Sequence, residues 1–430
     1  MHESKPDDSS NQAADRPLRL FEGVGVELEY MIVHAGTLDV HASADELLEA
    51  VAGELTDEFE NGDVAWNNEL ALHVIELKCN GPRASLTGLA KAFAANVSLA
   101  NDRLRDVDRL LMPSAMHPWM DPARELTLWP HGLSDVYATF DRIFSCKGHG
   151  WANLQSMHVN LPFAGDEEFA RLHAAIRFLL PILPGLAASS PVIDGVRNGI
   201  LDNRLVVYRT NCAKLPSVSG DIVPEPIGSI DEYREMLLGR IYRDLEPHDP
   251  ERVLQHEWVN ARGAIARFDR MAIEIRVLDV QETPHMDVAY AALVVEVLKL
   301  LCVEQWASLR SLQSWRTPVL GQLLQLTERQ AEGAAINDRS LLRAFGYRGS
   351  SASVRELWEH LIEAVSARGV LETEHGRMLE HYLRHGTLAT RIAKAVGLFP
   401  DRAKLKEVYG TLCESLATST PFTTPHEAPR

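Results

Sequence analysis

The sequence is poor in the features that mark several large classes of protein. Its five cysteines are odd in number and widely spaced, with no C-x-x-C pair, so neither a disulfide framework nor a thiolate zinc site is indicated. No run of about 18 apolar residues occurs, so no membrane span is expected. Lys and Arg number 43 against 60 Asp and Glu, a net charge of −17. That balance argues against a general nucleic-acid-binding protein, although arginines and Mg²⁺ can still reverse the charge locally and bind an anionic substrate.

Several catalytic signatures are also missing. The sequence has no Walker A motif, no GxGxxG after a strand, no GxSxG and no HExxH. If the protein uses ATP, we therefore expect it to do so without a P-loop. The first residues, MHESKPDDSSNQAADRP, lack the apolar segment of a secretory signal. Together with the cysteine usage, this predicts a cytoplasmic protein.

Four stretches alternate apolar residues with residues that could hold a metal or an anion. They are GVELEY at 25–30, LHVIEL at 72–77, MHVNL at 157–161 and IEIRV at 273–277. Side chains at i and i+2 of a strand share a face. The pattern therefore predicts strands of one sheet with an apolar back and a front that carries acids, an imidazole and a guanidinium. Such a front is typical of an active site built on rigid strands.

The acids of the first two stretches are candidate metal ligands. An isolated E-x-E is commonly just a solvent-facing strand, but Glu27 and Glu29 would repel each other on one face. A divalent cation such as Mg²⁺, which prefers carboxylate oxygens, would remove that cost. Glu76 interrupts a largely apolar strand and is a candidate for the same reason. Glu69 would face the opposite way in an unbroken strand and is the weaker candidate, and the same parity places His73 outside the site.

The last two stretches add an imidazole and an ion pair. His158 shares its face with Asn160, although a lone histidine is more often structural than a ligand. Glu274 shares its face with Arg276, and an exposed pair of this kind contributes only about 0–1 kcal/mol. The functional interpretation separates the two residues. Glu274 would bind metal, and Arg276 would hold a transferring phosphoryl group through two hydrogen bonds.

Two further cations are candidates for anion binding. Arg209 follows Tyr208 at the end of a short apolar run. Lys147 lies in the segment CKGHG at 146–150, where glycines would allow a ligand to approach closely. An ordinary surface loop explains either residue at least as well.

The order of elements indicates an α+β protein, because strands and helices mix in the first part of the chain and helices alone follow. We expect a disordered arm at residues 1–17, an α+β domain that carries the site at 18–312, a helical C-terminal region packed on it at 313–416, and a disordered tail at 417–430. Long helices are predicted at 84–112 and 285–312, and an ordered active-site loop at 113–135.

These motifs resemble those of a known family. GVELEYMIV resembles the GVEEEF opening strand of the glutamate–cysteine ligase type 2 family of carboxylate–amine ligases, and SMHVNLPF resembles its MHVHVG strand. ASSP at 188–191 followed by Tyr208 and Arg209 resembles its SSP…YR segment, and IEIRVLDVQ at 273–281 resembles its EIRxxDxQ strand. The matches follow the family's order between residues 21 and 300.

The resemblance implies a glutamine-synthetase-like fold, with an antiparallel sheet and helices outside it. It implies Mg²⁺- and ATP-dependent joining of a carboxylate, typically the γ-carboxylate of glutamate, to an amine such as cysteine. Carried over position by position, it places the metal ions on Glu27, Glu29, Glu76, His158 and Glu274, and phosphate on Arg276. We accordingly predict Arg276 and Arg209 as catalytic residues, and Lys147 and Arg276 as residues that bind the nucleotide.

Other functions remain open at this point. A guanidino kinase would need the same nucleotide and metal, a metal-dependent amidohydrolase would need no ATP, and an inactive homologue would only bind a nucleotide or an amino acid. We expect small-molecule substrates and neither a nucleic-acid nor a membrane partner. The long helices after residue 285 leave a homo-oligomer possible.

Overall fold

An antiparallel sheet forms the centre of the molecule. The computed structural model describes residues 16–424. Within that range the strands of the sheet are β1 (Gly25–His34), β2 (Glu58–Asn61), β3 (Val64–Asn68), β4 (Val74–Cys79), β5 (Arg109–Met112), β6 (Ser156–Pro162), β7 (Ala264–Arg267) and β8 (Ala272–Asp279). Their order is β2-β3-β4-β1-β6-β8-β7, and β5 pairs with the C-terminal part of β1. The expected α+β class, with an antiparallel sheet and flanking helices, is confirmed.

Helices cover one side of this sheet and make up most of the C-terminal half. In the described residues they are α1 (Ala44–Ala52), α2 (Leu89–Arg105), α3 (Pro122–Glu125), α4 (Ser134–Phe144), α5 (His149–Ala152), α6 (Gly165–Leu179), α7 (Pro184–Ala187), α8 (Asn203–Tyr208), α9 (Ile230–Glu232), α10 (Gly239–Leu245), α11 (Pro284–Cys302), α12 (Leu309–Gln313), α13 (Thr317–Gln330), α14 (Arg339–Ala344), α15 (Val354–Ser366), α16 (Thr373–His385), α17 (Leu388–Val396) and α18 (Arg402–Thr418). A small ribbon of β9 (Ala335–Ile336) and β10 (Ala352–Ser353) interrupts the helical part.

The apolar back of the sheet is buried against α11. Val26, Leu28 and Tyr30 of β1 have no exposed surface, as their alternation predicts. Helix α11 is apolar nearly all round, which is typical of a helix buried on every side. It packs against β1, α2, α6, α15 and α16. The sheet and the C-terminal helices therefore share one hydrophobic core, and the front of the sheet is left for chemistry.

Two predicted helices end earlier than the periodicity suggested. The helix expected at 84–112 is α2, which stops at Arg105, and Arg109–Met112 turns back as strand β5 against β1. Asp108 takes a left-handed conformation, with φ of 58°, at this reversal. The helix expected at 285–312 ends at Cys302, and α12 follows it separately. Apolar residues continue at roughly helical spacing past the end of both helices, so the hydrophobic period alone did not reveal where either helix ends.

The C-terminal segment differs from the expected disordered tail. Helix α18 continues to Thr418, and Phe422 is buried beside Met31 and Leu388. Its backbone N–H donates to Glu282 (3.2 Å), and its carbonyl accepts from Arg391 (2.7 Å). Residues 417–424 are thus ordered by an apolar pocket and a buried ion pair that their composition does not indicate. Most of the arm predicted at 1–17 and residues 425–430 of the tail lie outside the described residues.

Among the residues described, none of the helices combines the length and apolar character needed to cross a bilayer. All five cysteines are buried free thiols.

We expect Phe422→Ala to destabilise the protein by about 3–5 kcal/mol, because a phenylalanine that is 3% exposed leaves a cavity when truncated. The matched control is Phe399→Ala, since Phe399 is 96% exposed and its loss should change stability by less than about 0.5 kcal/mol. Urea unfolding of both variants measures the difference. Equal midpoints would contradict a packed C-terminal segment.

Candidate active site

Strand register brings the polar residues of the four predicted stretches together. Across β1 and β4, Glu29 lies opposite Glu76. Across β1 and β6, Glu27 lies opposite His158. Across β6 and β8, Asn160 lies opposite Glu274. Directly opposed residues of an antiparallel pair share a face, with Cβ atoms roughly 4.5–5.5 Å apart. The four stretches therefore form one polar front, as their alternation predicts.

A cavity of about 320 Å³ opens over this front. Acids of the central strands form its floor, and basic and aromatic side chains from neighbouring segments form its walls. Its lining comprises Glu27, Glu29, Glu69, Leu70, Glu76, Lys78, Gly150, Trp151, Leu154, Ser156, His158, Arg204, Tyr208, Asn211, Arg267, Arg270, Glu274 and Arg276. Charges of both signs at this density indicate a site for an anionic substrate and a cation together.

His158 lies at the centre of the acids. Its Nδ1 is 3.0 Å from Glu27 Oε2, and its Nε2 is 2.9 Å from Ser156 Oγ. Ser156 donates both its backbone N–H (2.7 Å) and its hydroxyl (3.0 Å) to Glu29. Because that hydroxyl proton is already used, Ser156 must accept from Nε2–H, and the bonds fit a ring protonated on both nitrogens. Burial lowers the pKa of His158, but the hydrogen bond with Glu27 and the charges of Glu29 and Glu274 outweigh it and raise the pKa.

Glu27 is held as a carboxylate. Burial raises its pKa, but the hydrogen bond and the charge of His158 more than offset this and lower the pKa to about 2. Asn160 Nδ2 also donates to Glu27 (2.9 Å). Asn160 Oδ1 is buried and has no hydrogen-bond partner.

Glu69 and Glu76, which lie close to Glu29, lack such support. Oxygens of Glu29, Glu69 and Glu76 lie within 4.8 Å of one another, and so do ligand atoms of Glu27, Glu76 and His158. Burial, followed by the charge of Glu29, raises the pKa of Glu69 to about 8. Burial and the charges of Glu27 and Glu69 raise the pKa of Glu76 well above its ordinary value. A divalent cation would satisfy these carboxylates, so the donor set of the two overlapping groups fits a hard metal ion.

The ion pair predicted on the last strand is present. Arg276 Nε donates to Glu274 Oε1 (2.5 Å), and Arg267 donates to Glu274 Oε2 (3.2 Å). Burial lowers the pKa of Arg276, but Glu274 and the hydroxyl of Tyr208 outweigh it and raise the pKa. Arg276 is thus a permanent cation at the wall of the cavity.

Two predicted residues lie elsewhere. Lys147 lines a separate depression with Trp119 and Arg402. Arg209 forms an ion pair with Glu328 and does not line the cavity over the sheet. The loop at 113–135, expected to be an active-site loop, also contributes no residue to that cavity. His73 is buried and hydrogen-bonds the Ala152 carbonyl (2.7 Å), outside the site as expected.

The structure adds residues that sequence reasoning missed or ranked low. Glu69 faces the cavity because β3 ends at Asn68 and β4 begins at Val74, so the strand assumed in the parity argument is broken. Arg267 is the last residue of β7, and Arg270 lies in the turn between β7 and β8. The arginines at 262, 267 and 270, just before the strand predicted at 273–277, were the available signal in the sequence. Arg204 lies on the short helix α8, and we recognised no pattern in the surrounding sequence that indicates a functional role for it.

Comparisons with known proteins show which family and which proteins this chain is similar to. The family model described as "Glutamate-cysteine ligase family 2(GCS2)" matches residues 23–401. An uncharacterised protein of Archaeoglobus fulgidus is 37% identical over 277 residues, which are 64% of this chain and 74% of that one. A putative glutamate–cysteine ligase 2-1 of Nocardioides is 30% identical over 217 residues, and the match spans about half of each protein (50% and 52%).

A solved structure shows the same fold. It is the crystal structure of a glutamate–cysteine ligase from Francisella tularensis in complex with AMP. The TM-score is 0.60 with 11% sequence identity, over 94% of this chain and 90% of that one. At this identity the comparison establishes the fold alone.

We expect Glu76→Gln to stabilise the metal-free protein by roughly 1–2 kcal/mol at pH 7.5. The folded-state pKa of Glu76 is raised, so ionising this acid opposes folding above its unfolded pKa, and the benefit of the amide should vanish near pH 4. Added Mg²⁺ should raise the unfolding midpoint of the wild type more than that of the variant. Thermal unfolding at both pH values, with and without Mg²⁺, measures this. Glu49→Gln, an exposed position on α1, is the control. An equal Mg²⁺ response in all three proteins would argue against a cation at Glu76.

Proposed function

The chain belongs to glutamate–cysteine ligase family 2, and from that premise we propose that it is an ATP- and Mg²⁺-dependent carboxylate–amine ligase. The carboxylate is that of glutamate or a similar acid, joined through its γ-carboxyl group, and the amine is a small molecule such as cysteine. The reaction proceeds through an acyl phosphate, because a carboxylate is otherwise a poor electrophile for an amine.

One observation carries this proposal. Two overlapping groups of metal-capable oxygens and an imidazole lie beside a cluster of arginines in the same cavity. Phosphoryl transfer needs positioning and neutralisation of charge more than it needs covalent groups from the protein. Glu27, Glu29, Glu76 and Glu274, joined by Glu69, would hold the metal ions, and His158 would join them once its ring has released the proton that it shares with Glu27. Bound Mg²⁺ would supply charge neutralisation to the phosphates of the nucleotide.

The cations of this chain then have distinct tasks. Arg276, fixed by Glu274, binds the transferring phosphoryl group, and Arg267 shares the same acid. Lys78 and Arg270 line both the main cavity and an adjoining one of about 350 Å³. The adjoining cavity has glycines and apolar residues in its walls, which suits the base of a nucleotide. The predicted roles of Lys147 and Arg209 form no part of this arrangement.

Aromatic side chains in the walls of the main cavity would help to keep water from a bound intermediate. Tyr208 and Trp151 line it, and Trp151 packs on Phe140 and Phe144 with ring centroids 5.1 and 5.7 Å apart. Keeping water from an activated carboxyl group favours attack by the amine over hydrolysis. We place the reaction in the cytoplasm, where ATP and glutamate are available.

Product analysis tests the proposal. The protein is incubated with ATP, Mg²⁺ and glutamate, together with each of the twenty amino acids in turn, and products are identified by mass. We expect an amide that appears together with ADP and phosphate. A phosphoguanidine would identify a kinase, and amide hydrolysis without ATP would identify an amidohydrolase. Nucleotide binding without turnover would identify an inactive homologue.

We expect Glu27→Gln and Arg276→Ala each to lower kcat by at least about 100-fold, because each removes a charge that neutralises or binds the reacting phosphate. The controls are Glu49→Gln and Arg402→Ala, which remove the same charges at exposed or half-exposed positions away from the cavity. ADP release measures all four variants. Full activity in either site variant would contradict the assigned roles.

A further inference from the structure

A buried carboxylate lies behind the cavity at the end of β8. Asp279 has no exposed surface. Its Oδ2 accepts the backbone N–H of Ser189 (2.8 Å) and the hydroxyl of Ser190 (3.0 Å). Its Oδ1 accepts Arg204 Nε–H. Every one of these partners is a donor, so the arrangement fits an ionised carboxylate with both oxygens fixed.

Arg204 connects this carboxylate to the cavity. Its Nη1 and Nη2 both donate to the carbonyl of Arg276 (3.2 Å each). A guanidinium has five N–H groups, so the bonds to Asp279 and to Arg276 use three of them. The side chain is 3% exposed, and the residue lines the cavity beside Glu29. Arg204 thus fixes the backbone of the residue whose side chain we assign to the phosphoryl group.

We propose that Asp279 is a positioning residue of the ligase reaction, which acts by orienting Arg204 and, through it, the part of β8 that carries Glu274 and Arg276. This inference rests on the proposed function. The inference also assigns a role to Ser189 and Ser190, whose side chains do not line the cavity. Their hydrogen bonds hold Asp279, and Asp279 holds Arg204.

Electrostatics explains why a carboxylate is needed here. Arg204 lies on the same wall as Arg276 and Arg267, and like charges in a poorly solvated place repel each other strongly. Asp279 neutralises Arg204 without competing for Arg276, which Glu274 already pairs. An asparagine at 279 would lose the charge and would present an N–H group to a partner that is itself a donor. Arg204 would then tilt, and a displacement of about 1 Å near a reacting group can cost about 100-fold in rate.

The variant Asp279→Asn tests this inference. We expect the Kd for Mg–ATP to rise about 10-fold and kcat to fall about 10- to 100-fold. Calorimetric titration with Mg–ATP does not depend on turnover, so it remains informative even if the amide product is never found. Absence of product from the wild type would reject the proposed function. Unchanged Mg–ATP binding by a folded Asp279→Asn protein would reject this inference.

The matched control is Glu282→Gln. Glu282 is also fully buried, lies three residues further along the chain and pairs with a buried arginine, Arg391. Unlike Arg204, Arg391 does not line the cavity. We expect its replacement to lower the unfolding midpoint while Mg–ATP binding and kcat stay within about twofold of the wild type. If Glu282→Gln lowers binding and kcat as much as Asp279→Asn does, the effect is one of general stability and the inference is wrong.

A double-mutant cycle shows whether Asp279 acts through Arg204. When Arg204→Gln is already present, adding Asp279→Asn should change the Kd for Mg–ATP by less than about twofold. If the two substitutions instead raise the Kd independently, so that the double variant shows the product of the two single effects, the inference is wrong. If Asp279→Asn does not fold, Ser190→Ala replaces it in the same cycle. It leaves the charge of Asp279 and removes two hydrogen bonds of the Ser190 hydroxyl, one donated to Asp279 and one accepted from the backbone N–H of Arg204. That variant should weaken Mg–ATP binding about 2- to 5-fold in the presence of Arg204, and no change would count against the inference.

Discussion

Repulsion among carboxylates on one face of a sheet is the constraint on which this site depends. Of the acids that the structure describes, Glu27, Glu29, Glu69, Glu76 and Glu274 line a single cavity. His158 stabilises Glu27, and Arg276 stabilises Glu274, each by a hydrogen bond of 3.0 Å or less. Glu69 and Glu76 have no comparable partner, and their pKa values are raised. Under the proposed function, a site built in this way would hold its oxygens in place for a cation before the cation binds.

Rigid support from the other side of the sheet makes that arrangement possible. Helix α11 fills the space behind β1 with apolar side chains, and the C-terminal helices cover it in turn. The strands that carry the acids therefore cannot separate to relieve the repulsion without exposing the core. Asp279 and Arg204 extend the same support to the end of β8 with buried polar bonds.

The sequence predicted the residues on the strands better than the residues around them. Glu27, Glu76, His158 and Glu274 were singled out because each is a polar residue flanked by apolar residues in a strand, and strand register then brought them together. Arg209 was chosen since it follows a tyrosine in a segment that resembles a family motif, but it pairs with Glu328. Arg204, which the sequence analysis did not single out, lines the cavity. Glu69 was ranked low by a parity rule that holds only within an unbroken strand.

The sequence alone determined the four strands, the face on which their polar residues lie, and the family to which the chain belongs. These features are local, because the pleat of a strand assigns each side chain to a face whatever lies beside it. Only the tertiary structure decided the order of the strands, the place of Glu69, Arg204 and Arg267 in the cavity, and the support that Asp279 receives from Ser189 and Ser190. Those features depend on pairings between residues far apart in the chain and on where each loop turns. The packing of the whole core determines both, and a local hydrophobic period carries no information about either.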